Sequence, residues 1–201
     1  MFARELGNLG QTVASEVRLV ATPGPGVRID EAYGYPTTRS GDAVIVPVAD
    51  LRAGEIRKVV FRVTVAEHRE GPLVVAQVEL GWRRVADGAM RSARAAAEVD
   101  VASDPAAVEA SVDPAVVPVV EQALSARALE DAARAYDQAG LAGAREILDR
   151  RDRALRANAR YLAPATVESL EAVSRDAIEG FSRAPAQAKK ATSVKAYELA
   201  R

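Results

Sequence analysis

The sequence predicts an α+β protein: an antiparallel immunoglobulin-like β-sandwich followed by a C-terminal α-helical bundle. Three observations predict it. From Thr12 to Val101 apolar residues recur with a period of about two, the mark of half-buried strands. After Asp104 the spacing lengthens to about four, the mark of amphipathic helices. And 201 residues suffice for two small domains with a sizeable core.

The first strand, "TVASEVRLVA", sets Val13, Val17 and Leu19 against Glu16 and Arg18. It runs into "ATPGPGV", a Gly-rich loop that could in principle cradle a phosphate. Pro23 and Pro25 have no amide hydrogen to offer, no Lys-Ser or Lys-Thr follows, and a strand rather than a helix comes next. The loop is therefore expected to be a strand connection, with Gly24 and Gly26 supplying unusual dihedrals. "VRIDEAY" resumes the alternation with Val27, Ile29 and Tyr33.

"DAVIVPV" is a short strand whose Pro47 cannot donate a ladder hydrogen bond, which predicts a sheet edge or a bulge. "IRKVVFRVTVA" places Val59, Phe61, Val63 and Val65 on one face, and "PLVVAQVELGW" aligns Val74, Ala76, Val78, Leu80 and Trp82. Val59, Phe61, Val63, Val65, Val74, Val78, Leu80 and Trp82 are the expected core. Asp87-Gly88 marks a hairpin turn. In "AMRSARAAAEVDV" the alanines favour helix, but Ala93, Ala95, Ala97, Val99 and Val101 keep the two-residue period and predict a strand.

Two Asp-Pro pairs open the second half, so helices are expected to begin near Pro105 and Pro114. Val116, Val120, Leu124, Ala128, Ala132 and Tyr136 form a stripe that should end at Gly140, and Leu141, Ala144, Ile147, Leu148, Leu155 and Leu162 supply the next. Pro164 and Pro185 delimit a third helix, and "QAKKATSVKAYELA" a fourth. "LEDAARAYDQAGLAGAREIL" has the spacing of a single tetratricopeptide-like hairpin, in which small residues allow close helix approach.

No catalytic, cofactor-binding or metal-ligating residue is assigned. Cysteine is absent, which excludes disulfides and thiol chemistry. His68, the lone histidine, lies in "AEHREGP" and reads as an exposed loop residue, since no Gly-x-Ser-x-Gly elbow accompanies it. Asp100, Asp104 and Asp113 lack the D-x-D-x-D-G run of a calcium loop. Trp82, Tyr33 and Tyr35 could form an aromatic surface, although a tryptophan on the apolar face of a strand belongs to a core. Six arginines from Arg145 to Arg160 could face a phosphate backbone, but interleaved Glu146, Asp149 and Asp152 predict a salt-bridged solvated face. Lys+Arg 27 against Asp+Glu 28 gives no long-range pull toward nucleic acid. "MFARELGNLGQ" reads as neither signal peptide nor membrane span, so no membrane insertion is expected.

The order "FARELGNLGQTVASEVRL", "PGVRIDEAYGYP", "VPVADLRAGEIRKVVFRVTV", "VAQVELGWRRVADG" and the Ala-rich helices ending "KAYELAR" resembles the region that follows the von Willebrand factor type A domain in bacterial secreted or envelope-associated proteins of the inter-alpha-trypsin-inhibitor and calcium-activated-channel-like kind. That resemblance implies that residues 1–10 are an N-terminal helical tail, with Phe2, Leu6 and Leu9 on its apolar side, while the change of period divides the rest into a β-sandwich (11–103) and an α-helical domain (104–201). It implies an accessory region without the type A domain, whose D-x-S-x-S metal site has no counterpart here, so no metal ligand is carried over. The expected function is a non-enzymatic protein-interaction or scaffold module without cofactor, allowing an envelope or secreted setting. One alternative is a hydrolase using carboxylates such as Glu79 or Asp87 between sandwich and helices. The other is nucleic-acid binding through the Arg145 to Arg160 helix. The expected partner is a protein or a second copy at an open sheet edge, assigned to the "TVASEVRLVA" strand because Pro47 protects "DAVIVPV".

Overall fold

The computed structural model describes residues 12–66 and 69–199. The expected tail at 1–10 and His68 lie outside them. The chain divides into two compact units between Ala110 and Ser111, with Lys58–Val60 grouped with the second.

The first unit contains strands β1 (Thr12–Pro23), β2 (Val27–Tyr33), β3 (Thr38–Ser40), β4 (Ala43–Pro47), β5 (Leu51–Arg52), β6 (Val60–Val65), β7 (Gly71–Arg84) and β8 (Met90–Val101), then a short helix α1 (Pro105–Ala110). A six-stranded sheet runs β3-β4-β1-β7-β8, with β5 pairing the start of β1, while β2 and β6 make a two-stranded sheet. All pairs in the larger sheet are antiparallel. β2 packs against β1 and β4. The core is built from Val17 and Ala21 of β1, Ile29 and Tyr33 of β2, Val44 and Val46 of β4, and Leu73 and Ala76 of β7.

That core differs from the expected one. Val59, Phe61, Val63, Val74, Val78, Leu80 and Trp82 are only half-buried, and Val65 is exposed. Two bulges explain part of the change, because one extra residue moves all later side chains to the other face. In β1 the register shifts between Ser15 and Arg18, where Glu16 takes φ 52°. Ala14 and Val17 thereby both point inward and Val13 is left exposed. In β7 the shift falls between Val74 and Ala76. Leu73 and Ala76 then share the buried side.

β1 is not the open edge. It is long enough to pair β5 and then β4 on one side while β7 occupies the other, so it lies inside the sheet. Alternation cannot report strand order, which is why the expectation failed. β4 is likewise flanked on both sides, although β3 reaches only Ala43 to Ile45 and Pro47 lies beyond it.

The loop after β1 is a strand connection. Gly24 donates its N–H to the Val75 carbonyl at 3.0 Å and accepts from the Val27 N–H at 3.1 Å. A β-carbon on Gly24 would stand 1.8 Å from the Val74 carbonyl oxygen, so only glycine allows the loop to lie against the β7 bulge.

Asp104 caps α1, at the end of the first unit, through the Ala106 N–H. The second unit is helical, but its first helix begins later than Pro114: the Asp113 carboxylate accepts from the Ala115 N–H and holds a turn. Helix α2 (Val117–Ala157) is broken at Gly140, whose φ 63° and ψ −156° are open to glycine alone. Its two arms, 117–139 and 141–157, fold back as a hairpin. They approach closely: a β-carbon on Gly143 would lie 2.8 Å from the Ala139 side chain and 3.0 Å from the Ala135 carbonyl. α3 (Pro164–Arg183) and α4 (Pro185–Leu199) complete the unit, starting at the prolines that mark them in the sequence. Leu129, Ala132, Ala144, Leu148, Phe181 and Ala188 form the main cluster, with Tyr136 stacked on Phe181 at 5.1 Å.

Candidate functional site

Strand β8 is a long sheet edge. It pairs with β7 from Gly71↔Val101 to Arg83↔Met90, and no described strand lies on its other side. Residues 90–100 are all exposed and Val101 is half-buried.

Its attachment to β7 is secured at both ends. At the turn, Gly88 has φ 67° and donates to the Arg84 carbonyl at 2.8 Å, while the Arg84 N–H bonds the Ala89 carbonyl at 2.9 Å. Asp87 accepts from the Ala89 N–H at 3.1 Å, from Arg84 Nε at 3.0 Å and from Arg91 at 3.4 Å. The Arg84 guanidinium first, with the Ala89 amide, holds the Asp87 carboxyl well below the usual carboxylate range. At the other end the Glu70 carboxylate accepts from the Ser103 N–H at 3.0 Å, and the Ser103 hydroxyl and amide lower its pKa. The hairpin thus fixes β8 along one side only.

The two faces of β8 differ. Ala93, Ala95, Ala97 and Val99 stand beside Leu80, Val78, Ala76 and Leu73 of β7, continuing the apolar side of the sheet. On the opposite face Arg94 pairs with Glu79 across the strands, Nε to Oε2 at 3.1 Å, and Glu98 and Asp100 have no ion-pair partner among the described residues.

These contacts also place the two carboxylates proposed for a hydrolase. Glu79 sits within β7 against Arg94 and Asp87 in the turn against Arg84. Glu79 and Arg84, the partner of Asp87, stand five strand steps or about 16 Å apart along β7, so the two carboxylates belong to separate points of the hairpin. The structure does not bring them together. Among the described residues no group of three or more His, Asp or Glu could hold a metal ion. Tyr33 is buried and Tyr35 and Trp82 are half-buried, so no exposed aromatic platform forms from them.

The arginines of the second arm split into two kinds. Arg150 pairs with Glu146 at 3.0 Å and Arg156 with Glu171 at 2.6 Å, as expected of a solvated, salt-bridged face. Arg151 is instead buried. It binds the Glu121 carboxylate, donates from Nε to the Ser125 hydroxyl at 3.1 Å and from Nη2 to the Glu121 carbonyl at 3.0 Å. Asn158 Nδ2 completes the cluster by donating to Glu121 Oε1 at 2.8 Å. The sequence carried a signal for this: Arg151 falls on the stripe of Ala144, Leu148 and Leu155, and Glu121 on that of Val117 and Ala128.

A cavity of about 270 Å³ lies among the helices, lined in part by Leu129, Val173, Asp176, Ala188, Thr192 and Lys195. It is below the roughly 300–1,000 Å³ of ordinary ligand clefts. No described helix is long and apolar enough to cross a membrane.

No protein-family model matches the chain, and no curated protein matches it. A solved structure described as "von Willebrand factor type A from Catenulispora acidiphila" is similar in fold, with a TM-score of 0.59 and 14% identity. The match covers 99% of this chain and 48% of that one, so this chain spans about half the length of its structural neighbour. The likeness shows a shared fold across that half, made here of antiparallel sheets and a helical unit.

Proposed function

We propose that the chain is a non-enzymatic protein-interaction or scaffold module: an immunoglobulin-like sandwich with a helical bundle, serving as the accessory region of a bacterial von Willebrand type A-like protein. The observation that carries this reading is the uncovered β8 edge. A 12-residue strand paired on one side presents a row of free amide and carbonyl groups, and an added strand gives them partners. The commitment of Glu79 and Asp87 to arginines, and the fold likeness to a type A protein, support it.

Amide hydrogen exchange of the dilute full chain is the test. Alternate amides of residues 90–101 should exchange fast, at rates near those of the loops, while their β7-bonded neighbours are protected. Uniform protection along β8 in a chain shown to be monomeric would overturn the proposal.

A further inference from the structure

We infer that β8 pairs with β8 of a second copy, antiparallel and centred on Ala96, so that Arg94 of each copy lies opposite Glu98 of the other. This rests on β8 being the open edge proposed above, and it names the occupant.

The charge pattern of the strand carries the inference. With Ala96 facing its own equivalent, Arg94 stands opposite Glu98 twice, once on each side of the two-fold axis, and Ser92 stands opposite Asp100. The same register sets Ala93 opposite Val99 and Ala95 opposite Ala97. These residues lie on the face that continues the apolar side of β7, so the two copies would share one apolar face and one charged face. Glu98 has no ion-pair partner among the described residues, and the Arg94 side chain keeps 77% of its surface exposed despite its bond to Glu79. Both can therefore accept a partner from outside.

Other registers are worse. Centring on Ala95 sets Arg94 opposite an alanine and Glu98 opposite Ser92. Centring on Ala97 keeps an attraction between Arg94 and Asp100 but shortens the overlap and leaves Glu98 opposite an alanine. Centring on Arg94 or Glu98 brings like charges face to face. Arg94 and Glu98, charges that would deter indiscriminate edge pairing, thus favour one pairing. A contact one strand wide falls near or below the roughly 1,200 Å² lower end of stable interfaces, so association should depend on concentration in an accessible range.

The experiment is sedimentation equilibrium of the full chain over a concentration series, with amide exchange on the same samples. The wild type should pass from monomer to dimer as concentration rises, with protection of the outward amides of 90–101 rising in step. Glu98→Arg places Arg94 opposite an arginine and should weaken the dimer by at least about tenfold, as should Arg94→Glu. Their mixture should associate, because every facing pair is then of opposite sign. Circular dichroism melting confirms that each variant is folded, and Glu98→Arg serves if Arg94→Glu, which also faces Glu79, is not. A chain that stays monomeric with fast outward amides at every concentration overturns the self-pairing while leaving the open edge intact. A dimer indifferent to Glu98→Arg also overturns it, and slow outward amides in the dilute monomer remove the edge itself.

Discussion

Arg151, in the second arm of α2, is bound to Glu121 in the first, and the two are the only oppositely charged pair among the described residues in which both side chains are almost wholly buried. Ser125, Asn158 and the Glu121 carbonyl take up the remaining bonds, so the pair fixes how the arms align. Arg151→Met leaves the Glu121 carboxylate buried with its cation gone and should cost about 3–5 kcal/mol. Adding Glu121→Leu removes the stranded charge and should restore most of that loss. Urea melting of both variants is the check, and a double variant no more stable than Arg151→Met would contradict the account.

Gly24→Ala should be among the most damaging single substitutions in the first unit. The new methyl group would collide with the Val74 carbonyl, which belongs to backbone and cannot swing aside. The expected cost is about 3 kcal/mol or more. Gly26, with nothing within 4 Å of its would-be β-carbon, has only its φ of 73° to resist substitution and should tolerate asparagine well.

Glu16 occupies left-handed backbone while Arg83 grips its carboxylate through Nε at 2.8 Å and Nη2 at 3.2 Å. Alanine there would lose the grip and keep the strain; glycine would lose the grip but release the strain. Glu16→Gly should therefore melt at a higher temperature than Glu16→Ala, the reverse of the ordinary order within a strand. Matched thermal melts decide it.

Asp152 accepts a hydrogen bond from Ser174 at 2.8 Å, yet burial and then the nearby Glu171 raise its pKa against the lowering effects of Ser174, Arg156 and Arg151. A carboxyl raised in the folded state stabilises the fold fully below its unfolded pKa, and that contribution is lost as pH rises through the folded value. Asp152→Asn stays neutral and can still accept from Ser174. Relative to wild type it should gain stability from pH 3 to pH 7, as measured by the difference in urea midpoints. A constant difference across that range would refute the assignment.

Several features were legible in the residues because local chemistry decides them. Gly140 ends a helical stripe, Pro164 and Pro185 bound the helix between them, and Asp87-Gly88 closes the hairpin where expected. The alternation of Ala93, Ala95, Ala97 and Val99 outweighed alanine's helical preference, and β8 is a strand. What escaped was set by partners distant in sequence. Nothing in "VASEV" announces that Glu16 bulges, and the apolar run "LVVA" hides which valine is the extra one. The place of β1 inside the sheet depends on β4, β5 and β7 together, so its own pattern could not tell edge from centre. By charge Arg151 is one of six neighbouring arginines, and only its place on the stripe of Leu148 and Leu155 sets it apart.

Gly140 also governs whether the helical unit closes on itself or exchanges arms with another molecule. Its dihedrals lie where a residue with a β-carbon is excluded, so Gly140→Ala favours continuing the helix straight through, into a rod of about 60 Å at 1.5 Å per residue. The apolar faces of the arms would then be satisfied only by the matching arm of a second chain, with Arg151 meeting the Glu121 of its partner. The expected product is an arm-exchanged dimer that separates slowly and persists when Glu98→Arg is added, visible as a stable early peak in size-exclusion chromatography. One glycine thus makes the bundle a private, intramolecular arrangement rather than a shared one.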